Sequence, residues 1–128
     1  MTTKNTTQET VMICDDEQDI LDLYKRALEH RYNVIAICTG KDCIERYISE
    51  KDIGNKVDIL LLDYRLGDML GNEVACKIKR LDGTKVVLVS AYELEEDMVR
   101  KLIEERCIVA TFRKPLSLNA LAEKVAAL

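Results

Sequence analysis

The chain has no tryptophan, a single phenylalanine, a single histidine and a single proline in 128 residues. No apolar run approaches the roughly 20 residues that a membrane-spanning helix needs, and Met1 to Thr10 is polar with no apolar core, so neither a secretory leader nor an anchor is expected. Five cysteines, Cys14, Cys38, Cys43, Cys76 and Cys107, are present in an odd number without a CxxC pair or a Cys/His cluster. That spacing describes neither a disulfide framework nor a zinc site, and the cysteines read as small buried hydrophobes in a reducing cytosol. The net charge is −4 with acidic and basic residues mixed, so nothing favours wrapping a nucleic-acid backbone. The lone His30 reads as an exposed helix-end residue whose charge suits the C-terminal dipole. Internal repeats, low-complexity tracts and linkers are also missing.

What is present is a single-domain length of mixed composition, 48% hydrophobic and 33% charged. Met1 to Glu9 is Thr-rich and aperiodic, and is expected to be a flexible segment (1–9) ahead of a domain at 10–128. From Thr10 the chain alternates. Short apolar runs at Thr10–Cys14, Asn33–Cys38, Val57–Leu62, Lys85–Val89 and Cys107–Phe112 read as strands. Between and after them, apolar residues recur at helical spacing: Ile20, Leu21, Tyr24, Ala27 and Leu28; Cys43, Ile44, Tyr47 and Ile48; Val74, Ala75, Ile78 and Leu81; Leu94, Met98, Val99, Leu102 and Ile103; Leu118, Leu121, Ala122, Val125 and Leu128. Thr39 and Ser117 are placed to cap the second and fifth helices, and Gly54-Asn55 and Asp82-Gly83 to stop the second and third.

Strand then helix, five times with short connections, predicts an α/β fold: a doubly wound five-stranded parallel sheet with helices on both faces. In such a sheet every strand ends at one edge, and ligands bind there at the point where the strand order reverses. Four strands deliver a chemically useful residue to that edge: Asp15 and Asp16, Asp63, Ser90 and Lys114. Three carboxylates held together repel one another unless a cation or hydrogen-bond donors compensate. Oxygen ligands with open positions suit Mg²⁺, which completes its shell with water and phosphate. Lys114 offers a point charge and Ser90 a hydroxyl to phosphate oxygens, and a carboxylate can itself accept a phosphoryl group.

Taken one at a time these residues have plainer readings. An acidic pair is usually solvated loop charge, and Lys-Pro is usually a loop. Together, VMICDDEQDIL, DYRLGDMLGNE, VLVSAY and FRKPLSLNAL resemble the CheY-like receiver domain of two-component response regulators, in order and spacing over nearly the whole chain. The resemblance implies the flavodoxin-like strand order 2-1-3-4-5, Asp63 as phosphoacceptor from a sensor histidine kinase or phosphotransfer protein, and Mg²⁺ held by Asp15, Asp16, Asp63 and the backbone carbonyl of Arg65. It also implies Ser90 as switch hydroxyl, Lys114 as phosphate contact, a Lys114–Pro115 bond that is commonly cis, and a cytoplasmic protein. The output face would be the fourth helix, fifth strand and fifth helix, for a downstream protein target or a dimer. Neither direct nucleic-acid contact nor membrane contact is implied. Side chains at the positions of Arg65 and Tyr92 tune water access in the family, and a long Arg beside a bulky Tyr implies slowed hydrolysis.

Two positions depart from the pattern. Thr111 stands where receivers usually carry an aromatic that swings inward, and Phe112 next to it should face the other side of the sheet. Gly67 stands where the loop often has proline. Competing functions are an aspartyl-phosphate phosphatase, which lacks an Asp at the position of Arg65, and a flavin or nucleotide binder, which needs a Gly- or Ser-rich first loop where DDEQD stands. A degenerate receiver acting as a constitutive protein-binding module is the alternative that Thr111 favours. The last helical stripe closes at Leu128, so no output domain is expected within these residues, whether they are a stand-alone regulator or an excised portion.

Overall fold

The computed structural model describes residues 8–78 and 83–128. Most of the expected flexible segment, together with Leu81 and Asp82 of the third helix and its stop, lies outside the described residues. The elements run β1 (Thr10–Cys14), α1 (Gln18–Leu28), β2 (Asn33–Ile37), α2 (Gly40–Asp52), β3 (Ile59–Asp63), α3 (Gly71–Ile78), β4 (Lys85–Ser90), α4 (Glu96–Glu104), β5 (Ala110–Arg113) and α5 (Leu118–Ala126). The sheet is parallel in the order β2-β1-β3-β4-β5. Among the described residues no helix is long and apolar enough to cross a membrane.

Strand alternation divides the core in two. Met12 and Cys14 of β1, Leu60 and Leu62 of β3, and Val86 and Leu88 of β4 face one way, with Cys43, Tyr47, Val74, Ile78 and Leu102 from α2, α3 and α4. Val11 and Ile13, Ile59 and Leu61, and Val87 and Val89 face the other, with Leu21, Tyr24, Leu28, Leu121 and Val125 from α1 and α5. A strand whose successive residues are all buried must be covered on both faces, which explains why β1 and β3 read as continuous apolar runs. The Thr39 hydroxyl accepts from the Asp42 N–H at 3.0 Å and the Ser117 hydroxyl from the Ala120 N–H at 3.0 Å, so both expected caps form.

The largest difference from the sequence reading is at β5, which begins at Ala110 and not at Cys107. Arg106 adopts φ 61, and the Cys107 N–H turns back to the Leu102 carbonyl at 2.8 Å. Cys107 and Ile108 therefore bury themselves as the apolar close of a helix C-terminus, before the strand starts. Cys38, Ile48 and Ile103 are exposed, where a buried position was expected of each.

Leu61→Ala removes a fully buried side chain from the middle of the central strand. It should cost about 3 kcal/mol, read as a lower urea midpoint with an unchanged denaturant slope.

Candidate functional site

Strand register assembles the site. Cys14 lies opposite Leu62 and Asp63 opposite Val89, while Ser90 lies opposite Arg113, so the residues that leave β1, end β3 and β4, and follow β5 emerge side by side. The strand order reverses between β1 and β3, which is where Asp15 and Asp63 stand. The edge opens as a cavity of about 230 Å³ lined by Asp16, Glu17, Asp63, Tyr64, Arg65, Ser90, Ala91, Tyr92 and Lys114.

Asp15 is buried behind these residues, next to Asp16 in sequence. One of its carboxylate oxygens accepts the Glu17 N–H at 2.9 Å, and the other accepts the Lys114 ammonium at 2.8 Å. Lys114 also reaches an Asp63 oxygen at 3.3 Å and so bridges the two carboxylates. Asp16, which is exposed, completes the group, and one oxygen from each of Asp15, Asp16 and Asp63 lies within 4.8 Å of the others. Ser90 is buried at the end of β4, and its hydroxyl accepts the Tyr92 N–H at 3.0 Å. The Lys114–Pro115 peptide is cis. Asp15, Asp16, Asp63, Ser90 and Lys114 thus meet at one edge, with Arg65 among the residues that line the cavity.

The electrostatics follow from this crowding. Burial, then the Asp15 charge, push the Asp63 carboxyl up to about 6 against the opposing pull of Lys114. For Lys114, burial pulls the ammonium down, but the hydrogen bond and charge of Asp15 and then Asp63 outweigh it, and the net move is upward. Three carboxylates beside one ammonium leave two negative charges among these four groups. Such a donor set fits a hard divalent cation that keeps several waters, and Asp16 and the second oxygen of Asp63 are the carboxylate oxygens least committed to protein donors.

Two residues that the sequence reading passed over position the loop after β3. The Asp68 carboxylate accepts the Gly40 and Lys41 N–H groups at 2.9 and 3.0 Å, tying the loop to the α2 N-terminus. Those backbone donors hold its carboxyl below the usual range. A Cβ at Gly71 would overlap the carbonyl oxygen of Asp63, so only glycine lets α3 start against the end of β3. Gly67 sits at φ 82, which proline cannot adopt, in the turn closed by the Leu66 N–H to Met69 carbonyl bond. The sequence signal for Gly71 was only that of a helix boundary. For Asp68 there was none, since its partner donors lie 28 and 27 residues away.

A family model described as the response regulator receiver domain matches residues 11–126. The nisin biosynthesis regulatory protein NisR of Lactococcus lactis subsp. lactis is 34% identical over 117 residues, covering 91% of this chain and 48% of that protein. A CheY-like response regulator receiver domain protein from Methanospirillum hungatei JF-1 is 28% identical with a TM-score of 0.77, covering 94% of this chain and 92% of that one. A response regulator from Thermotoga maritima is 25% identical with a TM-score of 0.76, covering 94% and 96%. The chain spans less than half the length of the first curated relatives it matches.

The raised Asp63 carboxyl fixes the sign of a pH effect. Its folded value of about 6 lies above its ordinary 3.8, so the native state holds more protons than the unfolded chain between these values and stability falls as pH rises through that window. In metal-free protein Asp63→Asn should therefore stabilise by about 1 to 2 kcal/mol at pH 7.5, less than full conversion of the shift because water reaches the open side of the carboxyl. The gain should shrink below pH 6 and be gone by pH 4, as read by thermal melts across pH in the presence of a chelator. Asp68→Ala should cost about 1 kcal/mol through loss of its two bonds to the α2 N-terminus, with no such pH dependence above pH 5.

Proposed function

The chain belongs to the family of response regulator receiver domains, and on that footing we propose that it is a phosphorylation-operated signalling module with Asp63 as its phosphoacceptor. Receiver domains are signalling domains and not conventional enzymes. The observation that carries the reading is the Lys114 ammonium bridging Asp15 and Asp63 beside Asp16 at the strand-order reversal. In the proposed reaction an Asp63 oxygen attacks phosphorus of a phosphohistidine on a histidine kinase or phosphotransfer protein. The P–O bond forms as the P–N bond breaks, and the imidazole leaves with the electron pair and takes up a proton.

Each neighbour has a task in this scheme. Lys114 holds an oxygen of the transferring group as it moves off the Asp63 carboxylate, and the Ser90 hydroxyl donates to a second oxygen. Asp15, Asp16, Asp63 and the Arg65 carbonyl would hold Mg²⁺, which supplies the positive charge that the donor set lacks. The Arg65 guanidinium lies 5.0 Å from the Tyr92 ring centroid at the cavity mouth, an arrangement that supports restricted water access and slow loss of the phosphoryl group. We take residues 10–128 as the receiver domain with 1–9 ahead of it, and place it in the cytoplasm with its kinase. Its target, or a second copy in a dimer, would read α4, β5 and α5.

One observation favours the constitutive module as a second reading. Thr111 is exposed and lines a cavity of about 190 Å³ next to Ser90, with Leu94 and Val99 on its other walls. Phe112 is buried on the opposite face among the residues of α1 and α5. The β5 side chain that would carry a change at Ser90 by an aromatic swing is thus a threonine.

Incubation with acetyl phosphate and Mg²⁺ should add one phosphoryl group by intact mass, mapping to the peptide of Asp63. The adduct should be absent from Asp63→Ala and from wild type with chelator, and at least about tenfold slower to form in Lys114→Ala. An equal adduct in Asp63→Ala would remove the assignment. An adduct on wild type that leaves partner affinity unchanged would select the constitutive module.

A further inference from the structure

The five cysteines are not used by the site, and two of them are brought together from distant parts of the chain. The Cys76 and Cys107 sulfurs are 2.9 Å apart, joined by a thiol hydrogen bond across 31 positions of sequence. A disulfide needs about 2.05 Å, so less than an ångström of approach separates the pair from a bond. We propose that Cys76 and Cys107 are a reversible oxidation site, forming a disulfide that ties α3 to the end of α4.

The surroundings assign each sulfur a part. Cys76, on α3, is partly exposed, whereas Cys107 is buried. A peroxide therefore meets Cys76 first. Its thiolate attacks one peroxide oxygen, the O–O bond breaks, and the hydroxide that leaves takes a proton to become water. The resulting sulfenic acid lies beside the Cys107 sulfur, which attacks it. The S–S bond forms as the S–O bond breaks, and a second water departs with the Cys107 proton. Two thiols and one hydrogen peroxide thus become one disulfide and two waters, and a dithiol reverses the step by exchange.

The other cysteines lack this combination of contact and access. Cys14 is buried and its thiol donates to the Thr39 carbonyl at 3.3 Å. The hydrogen bond with Cys43 and then burial push that thiol far above its ordinary value, away from the reactive thiolate. Cys43 is fully buried against the Met12 sulfur. Cys38 is exposed and is the position for modification between molecules.

The bond would act on α4 through a short path. The Cys107 N–H bonds the Leu102 carbonyl at 2.8 Å and the Ile108 N–H bonds the same oxygen at 3.4 Å, so Cys107 is fastened to the last turn of α4. Linking it to α3 fixes that turn against the helix beside it. None of the residues lining the acidic cavity is touched. That this restrains the signalling face rests on the function proposed above; the disulfide itself does not.

The test uses the full chain with Cys38→Ser to suppress dimers, treated with hydrogen peroxide and analysed without reductant. The expected result is a monomer lighter by two hydrogen atoms, a Cys76–Cys107 linked peptide, reversal by dithiothreitol, and amide exchange at Cys107 and Ile108 slowed by about tenfold or more. Cys76→Ser, at a partly exposed position that tolerates the change, should abolish all four. The same mass loss in Cys76→Ser, or Cys76 oxidised to sulfinic acid with Cys107 untouched, would overturn the proposal. Phosphoryl uptake is measured on reduced protein, so failure of the disulfide and failure of the Asp63 assignment give separate results.

Discussion

The arrangement at the sheet edge turns on a charge imbalance that the fold creates and does not itself resolve. Asp15, Asp16 and Asp63 are brought within reach of one another, and Lys114 is the ammonium that reaches into the group. Backbone donors compensate only part of the rest, through the Glu17 N–H on Asp15. The consequence is visible in Asp63, whose carboxyl is held at about 6 by burial and by its neighbour Asp15. A site in this state gains from a cation and from a group whose oxygens can share Lys114, which is why the same geometry suits both a divalent metal and phosphoryl transfer. The cost falls on the folded state in the absence of a ligand, and the two-layered apolar core around β1, β3 and β4 is what sustains it.

Much of this was legible in the sequence because the signals were local or fixed by topology. Continuous apolar runs marked β1, β3 and β4, and the alternation of strand and helix placed their ends at one edge, so Asp15, Asp63, Ser90 and Lys114 could be grouped across a hundred positions. The caps at Thr39 and Ser117 needed only a few residues of context. What escaped depended on contacts that periodicity does not encode. Cys107 and Ile108 read as the start of a strand because a buried helix end and a buried strand have the same apolar signature; the deciding feature is the positive φ of Arg106. The part played by Asp68 depends on the α2 N-terminus lying against it, a contact with residues 27 and 28 positions away. The nearness of Cys76 and Cys107 requires knowing how α3 packs beside the end of α4.

Site and transmission are built from different materials. The acidic cavity rests on strand ends fixed by the backbone ladder, including the Lys114 N–H to Ser90 carbonyl bond at 2.8 Å that carries the β4–β5 pairing into the site. The neighbouring face over Thr111 is open, with a cavity lined by Tyr92, Leu94 and Val99 and with Phe112 buried among residues of the other side of the sheet. In the proposed switch, a change at Ser90 would reach α4 and β5 through the loop at Ala91 and Tyr92, where the Tyr92 N–H bonds the Ser90 hydroxyl. A population shift needs only differential contacts in two states, and that bond is a contact that a phosphoryl group competing for Ser90 would change.

The charge imbalance is tested most directly by calorimetric titration of the full chain with Mg²⁺ across pH 5 to 8. The account predicts single-site binding whose affinity rises through the Asp63 transition near 6 and levels off above it. Proton release on binding should approach one proton per ion below that pH and fall away above it, and both features should be lost in Asp63→Asn. An affinity that is flat across this range, or unchanged by Asp63→Asn, would contradict it.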